Sequence, residues 1–266
     1  MEKILRFAAR HPAVCMVVPC LFPALPLSVA LSAADVSLGF HFACIAAVLY
    51  PFFILGKLSP MFLMNPKVKV LNRECDPLPL LEVTSFLLTC RLSPAHRMVT
   101  AMNQAVALRD TGAYEEALKV MKSIDLNKPR RIPAMAKFVY FHNLAEFLDN
   151  AGHREEADAI HARALEFWDT IPQRRKTPVL HNTIRFARAS SFCRHGTFPQ
   201  AVEILQDMEC IDPRQQVERG MVLARCAIAL GQYQRAREWL TYVITHGNRL
   251  HIADQARSML KNLENS

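Results

Sequence analysis

The side chains best suited to chemistry in this sequence are its thiols and imidazoles, and their spacing does not favour catalysis. Cys193 and His195 form the nearest nucleophile–base combination, but side chains two residues apart on a helix point about 200° apart. His142 and His161 lack the spacing of metal ligands, and no third ligand is apparent. The motifs G-x-x-x-x-G-K-[ST], G-x-G-x-x-G, H-E-x-x-H and G-x-S-x-G are absent from the sequence. We therefore predict a protein that is not an enzyme and holds neither a cofactor nor a metal.

Two basic clusters could contact an anionic surface. They consist of Lys128, Arg130 and Arg131, and of Arg174, Arg175 and Lys176. Each such charge contributes about 1 kcal/mol beside anionic lipid headgroups, although both clusters also fit ordinary solvated loops. Because no aromatic side chains are interleaved with these residues, nucleic acid is not expected as a partner.

Composition places the chain among folded proteins. Of its 266 residues 51% are hydrophobic and 21% charged, with a formal net charge of +8. This apolar content excludes disorder, and only 8 glycines exclude a collagen-like chain. The 8 cysteines are scattered and form no C-x-x-C pair, so we predict reduced thiols rather than a disulfide scaffold.

Two uncharged stretches near the N terminus predict a transmembrane helical hairpin over residues 1–58. The spans cover about residues 12–34 and 36–57, and at about 1.5 Å per residue each is long enough for a hydrocarbon core of about 30 Å. Basic residues flank the pair on the outer sides of both spans. By the positive-inside rule, we expect an integral membrane protein of the plasma membrane, with both termini and the following domain in the cytoplasm. A signal or anchor segment, or two buried helices of a soluble core, are the alternatives.

Residues 59–93 are rich in proline and read as a juxtamembrane linker. Within them, apolar residues surround a narrow polar stripe of Glu82, Ser85 and Thr89, which is typical of an amphipathic helix. That helix could dock on the next domain or lie in the membrane interface.

The string Ala-x6-Gly-x4-Ala occurs four times in the remainder of the chain. Successive glycines are 40, 44 and 35 residues apart, and apolar residues recur at helical spacing on both sides of each. This pattern predicts four pairs of antiparallel helices, with small alanines where helices approach closely and a glycine in each turn. The residues of the string are Ala105, Gly112, Ala117, Ala145, Gly152, Ala157, Ala189, Gly196, Ala201, Ala224, Gly231 and Ala236.

The turn strings Gly112-Ala-Tyr114-Glu-Glu-Ala117 and Gly231-Gln-Tyr233-Gln-Arg-Ala236 resemble those of the tetratricopeptide repeat family. The resemblance covers residues from about 95 to 248. It implies an all-α fold in which residues 94–266 form a right-handed α-solenoid of about four helix pairs. The helix that follows the last repeat would cap the stack.

The same resemblance implies a concave face, lined by the first helix of each pair, that binds an extended or helical peptide. On this chain the face would comprise Met102, Val106, Arg109, His142, Glu146, Asn150, Phe186, Ser190, Arg194, Met221 and Arg225. Its apolar members offer adaptable contacts, and its arginines can pair with carboxylates. The family's carboxylate-clamp pattern of Lys and Asn is not reproduced, which argues against binding of chaperone tails.

These observations predict a non-catalytic, membrane-tethered scaffold or adaptor whose cytoplasmic repeat domain binds a protein or peptide. The alternative is an accessory or assembly subunit of a membrane protein complex, held there through the transmembrane hairpin.

Overall fold

The computed structural model describes residues 2–11, 60–128 and 132–265. Within these ranges every regular element is a helix, which confirms the all-α prediction. The helices are α1 (Glu2–Arg10), α2 (60–74), α3 (Leu78–Leu88), α4 (Pro94–Asp110), α5 (Tyr114–Lys122), α6 (Ala134–Asn150), α7 (Arg154–Thr170), α8 (Pro178–Arg194), α9 (Phe198–Gln206), α10 (Pro213–Ala229), α11 (Tyr233–His246) and α12 (His251–Glu264), with a 3-10 turn at Gln173–Arg175.

The predicted transmembrane hairpin requires correction. Its spans, about 12–34 and 36–57, lie outside the described residues. In the part of the chain that the structure does describe, no helix combines the length and apolar character needed to cross a bilayer. Helix α6, for example, has 17 residues and so measures about 26 Å, less than a hydrocarbon core of about 30 Å. This finding overturns the predicted hairpin and the integral plasma-membrane location that depended on it.

Three of the four first helices of the repeats begin at cap residues that the sequence supplies. Ser93, Thr177 and Asp212 each precede a proline, and each side chain accepts a hydrogen bond from a backbone N–H in the first turn. Such a cap satisfies one of the free N–H groups of a helix start, and proline at the first helical position loses no hydrogen bond there. These three signals fix the starts of α4, α8 and α10.

Each glycine of the repeat string lies in the turn between the two helices of a pair and has a positive φ, between +70° and +88°. Side chains other than glycine adopt this left-handed conformation only at a cost, which explains the residue type. The eight alanines of the string are all buried, none more than 3% exposed. A side chain this small lets the paired helices approach closely. The pairs are α4–α5, α6–α7, α8–α9 and α10–α11.

The unequal spacing of the repeats has two different causes. Helix α7 has 17 residues, whereas the equivalent helices α5 and α9 have 9 each, and this accounts for the longest spacing. In the spacing of 40 residues between Gly112 and Gly152, helix α5 is short, and the additional residues lie in the connection between α5 and α6.

The helices before the repeats pack on the array and join its two ends. Helix α3 buries Leu80, Val83 and Leu87 completely and packs against α4. The turn after α2 meets the turn before α12, where the Asn248 side-chain amide donates to the Glu74 carbonyl oxygen over 2.6 Å and the Arg249 N–H donates to the Cys75 carbonyl oxygen over 3.2 Å. Helices α2 and α3 therefore connect the first helix of the array to the turn that precedes its capping helix.

Candidate binding cavity at the centre of the array

A cavity of about 430 Å³ lies where the first helices of all four repeats and α12 face one another. Nine of the eleven residues predicted for the concave face line this cavity together. They are Val106, Arg109, His142, Glu146, Asn150, Phe186, Ser190, Met221 and Arg225. Because they come from α4, α6, α8 and α10, the cavity draws on every repeat.

The other two predicted residues lie elsewhere. Met102 is 8% exposed and packs in the hydrophobic core around α6 and α7. The Arg194 guanidinium donates to Asp158 Oδ1 over 2.8 Å and lies 3.6 Å from Asp149 Oδ2. Arg194 is therefore already paired with carboxylates of its own chain.

A buried network of charges closes one side of the cavity and joins the first repeat to the fourth. Arg109 on α4 donates to Glu218 Oε1 on α10 over 2.6 Å and to Asp110 Oδ1 over 2.6 Å, and lies 3.5 Å from Glu146 Oε2 on α6. Arg214 Nη2 on α10 contacts Asp110 Oδ2 at 2.9 Å and Glu218 Oε1 at 3.1 Å. The array therefore curls far enough for its first and last repeats to be bridged by ion pairs.

The protonation of this network follows from its charges. Burial alone would lower the pKa of the Arg109 guanidinium, but Asp110, Glu218 and Glu146 outweigh burial and raise that pKa. Burial alone would raise the pKa of Glu218, but Arg214 and Arg109 hold it below its ordinary value. Arg109 and Glu218 are therefore both charged near neutral pH.

The cavity as a whole has a surplus of negative charge. Three arginines and five carboxylates line it. They are Arg109, Arg214 and Arg225, and Asp110, Glu146, Asp149, Asp212 and Glu218. Burial raises the pKa of Asp149 and of Asp212, so the environment does not fully compensate these two charges. An additional cation in the cavity would therefore be attracted to its wall.

His142 is a nearly buried imidazole that lines the cavity. The residue is 9% exposed, and its ring stacks on the Phe138 ring with the two ring centres 6.2 Å apart. Its ring nitrogens have no hydrogen-bond partner among the described residues. Burial lowers the pKa of His142, Glu146 opposes that shift and Arg109 adds to it. The imidazole is therefore neutral near pH 7 and offers one donor and one acceptor to a bound group.

Sequence reasoning missed several residues of the site, including Asp110, Arg214, Glu218 and Gln255. Arg214 and Glu218 are four residues apart on α10, a spacing that indicates a helical ion pair. The remainder had no such signal, because they meet only through the curvature of the whole array. Gln255 on the capping helix, for instance, donates to the Tyr114 hydroxyl over 2.7 Å.

The four described residues of the basic clusters do not line the cavity. Lys128, Arg174 and Arg175 are exposed, and Lys176 Nζ lies 4.4 Å from the centre of the Trp168 ring. Arg130 and Arg131 lie outside the described residues. Contact between these clusters and an anionic surface stays a prediction.

The thiols and imidazoles considered for chemistry are placed apart. The His195 ring nitrogens face the Ser191 carbonyl oxygen at 2.8 Å and Asp158 Oδ2 at 3.5 Å, while the Cys193 sulfur contacts Cys226. Over residues 2–11, 60–128 and 132–265, no three His, Cys, Asp or Glu side chains converge on a possible metal position.

The chain matches no protein-family model, no curated protein and no solved structure. The resemblance to tetratricopeptide repeats thus stays a prediction.

Proposed function

We propose that the protein is a non-catalytic helical-repeat adaptor, and that its central cavity holds a segment of a partner protein that carries basic and apolar side chains. The observation that supports this proposal is the cavity's composition, in which five carboxylates outnumber three arginines within a wall built from all four repeats.

The arginines of the cavity are mostly engaged by the protein itself. Arg109 and Arg214 bridge internal carboxylates, and only Arg225, which donates to the Gln255 side-chain oxygen over 3.0 Å, has no carboxylate partner in the described residues. An acidic segment would therefore find most of these arginines occupied, whereas a basic segment would add a cation to a wall whose carboxylates outnumber its arginines.

The apolar part of the wall suits the stem of a long basic side chain. Val106, Val139, Phe186 and Met221 line the cavity beside the carboxylates. Lys and Arg bury their methylene stems against apolar surface while the charged end seeks a polar partner. A lysine or arginine entering this cavity would contact such a wall and could reach Glu146, Asp149 and the free imidazole of His142.

The other prediction, an accessory subunit held in a membrane complex by the hairpin, loses its basis with the hairpin. A segment-binding role needs only the cavity and its shape.

A selection from a phage-displayed library of random peptides tests the proposal. We expect the enriched sequences to carry Lys or Arg beside aliphatic residues. Glu146→Gln and Asp149→Asn should each weaken a selected peptide about tenfold, which corresponds to about 1.4 kcal/mol. Glu264→Gln, at the exposed end of α12, is the matched control and should leave affinity unchanged.

Raising the salt concentration should weaken the same peptide, because part of its affinity is Coulombic. Enrichment of acidic sequences, binding that ignores both cavity variants, or a library that yields no binder would contradict the proposal.

A further inference from the structure

Two cysteines face each other across helices α8 and α10. The Sγ atoms of Cys193 and Cys226 are 3.4 Å apart. Cys226 is completely buried, whereas Cys193 is partly exposed and open to small reagents. A disulfide requires sulfurs about 2.05 Å apart, so the two side chains need to approach by only about 1.4 Å.

The surroundings give the two thiols different roles. The hydrogen bond between the two thiols lowers the pKa of Cys193, burial works against that shift, and the nearby Arg225 and Arg194 lower it further. Burial instead raises the pKa of Cys210. Since the thiolate is the nucleophilic form, Cys193 is the thiol best prepared to react first among these three.

We propose that Cys193 and Cys226 form a modification site, a dithiol that a hydroperoxide converts into an intrachain disulfide. The Cys193 thiolate attacks one peroxide oxygen, the O–O bond breaks, and the departing oxygen takes a proton to leave as water or an alcohol. Cys193 is then a sulfenic acid. The Cys226 sulfur attacks the Cys193 sulfur, the S–O bond breaks, and the hydroxyl leaves as water with the Cys226 proton. The two thiols thereby supply the two electrons that reduce the peroxide.

This bond would act on the walls of the cavity. Phe186 and Ser190 line it from α8, and Met221 and Arg225 line it from α10. A disulfide between these helices would fix their separation one turn from Ser190 and immediately beside Arg225. The site does not depend on what the cavity binds, because it rests on the contact between the two sulfurs.

Peptide mapping can test the site directly, because trypsin separates the three thiols. Cys193, Cys226 and Cys210 fall in the fragments 189–194, 226–235 and 195–214. The reduced full-length protein is exposed to stepwise hydrogen peroxide, alkylated with N-ethylmaleimide, digested without reductant and analysed by mass spectrometry. We expect a linked species of fragments 189–194 and 226–235, with a mass two hydrogens below their sum. It should form at least about tenfold faster than Cys210 loses its alkylation.

Variants separate the steps of the reaction. Cys226→Ala should abolish the link and leave a sulfenic acid at Cys193 that dimedone traps, whereas Cys210→Ser, the matched control, should leave the link unchanged. Circular dichroism confirms that each variant retains its helices. The proposal is overturned if Cys193 and Cys210 lose alkylation at equal rates. It is also overturned if Cys193 joins other cysteines as readily as Cys226, or if the link forms only in urea.

Discussion

At the residue scale, His161 on α7 shows how burial without a partner makes stability depend on pH. It is 7% exposed, and its Nε2 atom has no hydrogen-bond partner in the described part of the chain. Burial, with smaller contributions from Arg194 and His142, lowers the pKa of His161 to about 4, against about 6.5 for an unfolded histidine. Between about pH 6.5 and pH 4, His161 therefore binds a proton in the unfolded chain but not in the folded chain.

We predict that the free energy of unfolding falls as pH is lowered from about 6.5 to about 4, with His161 responsible for up to about 3 kcal/mol of that loss. Above pH 6.5 this residue has no such effect. His161→Gln should flatten the decline in urea unfolding measured between pH 7.5 and 4.5. His246→Gln, an exposed control on α11, should keep the wild-type decline. Equal declines for all three proteins would contradict this account.

The residue scale is also where sequence reasoning reached furthest. The alanines of the repeat string could be predicted as buried spacers because their need for small volume is local to one helix pair. Nine residues of the cavity could be assigned to one face because the family resemblance points to the first helix of each pair, and position within a helix decides direction. The pairing of Arg194 with Asp158 and Asp149 had no local signal, since the three residues belong to two repeats.

At the element scale, the capping helix α12 closes the array against the first turn of the repeats. Gly112 has φ +88°, and a Cβ atom built there would lie 2.7 Å from the His251 ring on α12. Gly152 has nearly the same φ, +85°, with open space around the corresponding position. The two glycines therefore carry the same backbone requirement but differ in their contact with the cap.

Gly112→Ala should accordingly destabilise the protein more than Gly152→Ala, which carries only the left-handed backbone cost of about 1–2 kcal/mol. The difference should shrink when His251→Ala is added, because the clash is with that ring. Urea unfolding of Gly112→Ala and Gly152→Ala, each with and without His251→Ala, measures both the difference between the glycines and its reduction. An equal loss at the two glycines would mean that α12 does not dock on this turn.

A second contact between elements is the ion-pair bridge from α4 to α10. Arg109→Met would leave Asp110, Glu146 and Glu218 with one fewer cation in a buried site, and we predict a loss of about 3–5 kcal/mol. Arg257→Met removes an exposed arginine whose ion-pair partner among the described residues is Asp254 alone, and should cost no more than about 1 kcal/mol. Chemical denaturation gives the free energy of unfolding of both variants. Similar losses of stability would argue against a buried bridge.

At the scale of the whole molecule, closure of the array should couple its repeats. In an open stack each repeat contacts only its neighbours, so distant units can unfold separately. Here α10 is bridged to α4 by Arg109, and the turn before α12 is bonded to the turn after α2. The helix pairs could be predicted from the sequence, but this closure could not, because it sums small rotations over four repeats.

The two tryptophans of the chain report on this coupling, since Trp168 lies on α7 and Trp239 on α11. The variants Trp239→Phe and Trp168→Phe each keep one tryptophan, and the unfolding of each is followed by fluorescence and by circular dichroism. We predict that, within each variant, the fluorescence and the helical signal change at the same denaturant midpoint. Separate fluorescence and helical midpoints would show that the second and fourth repeats unfold independently.

The central claim is that a partner segment occupies the cavity between the four repeats, and site-specific photo-crosslinking tests it most directly. The photoreactive residue p-benzoylphenylalanine replaces Phe186 inside the cavity, or Tyr233, which is 54% exposed and lies outside its lining. Irradiation with a selected basic peptide should attach that peptide at position 186 and not at position 233. Attachment at position 233 alone, or equally at both positions, would contradict the account.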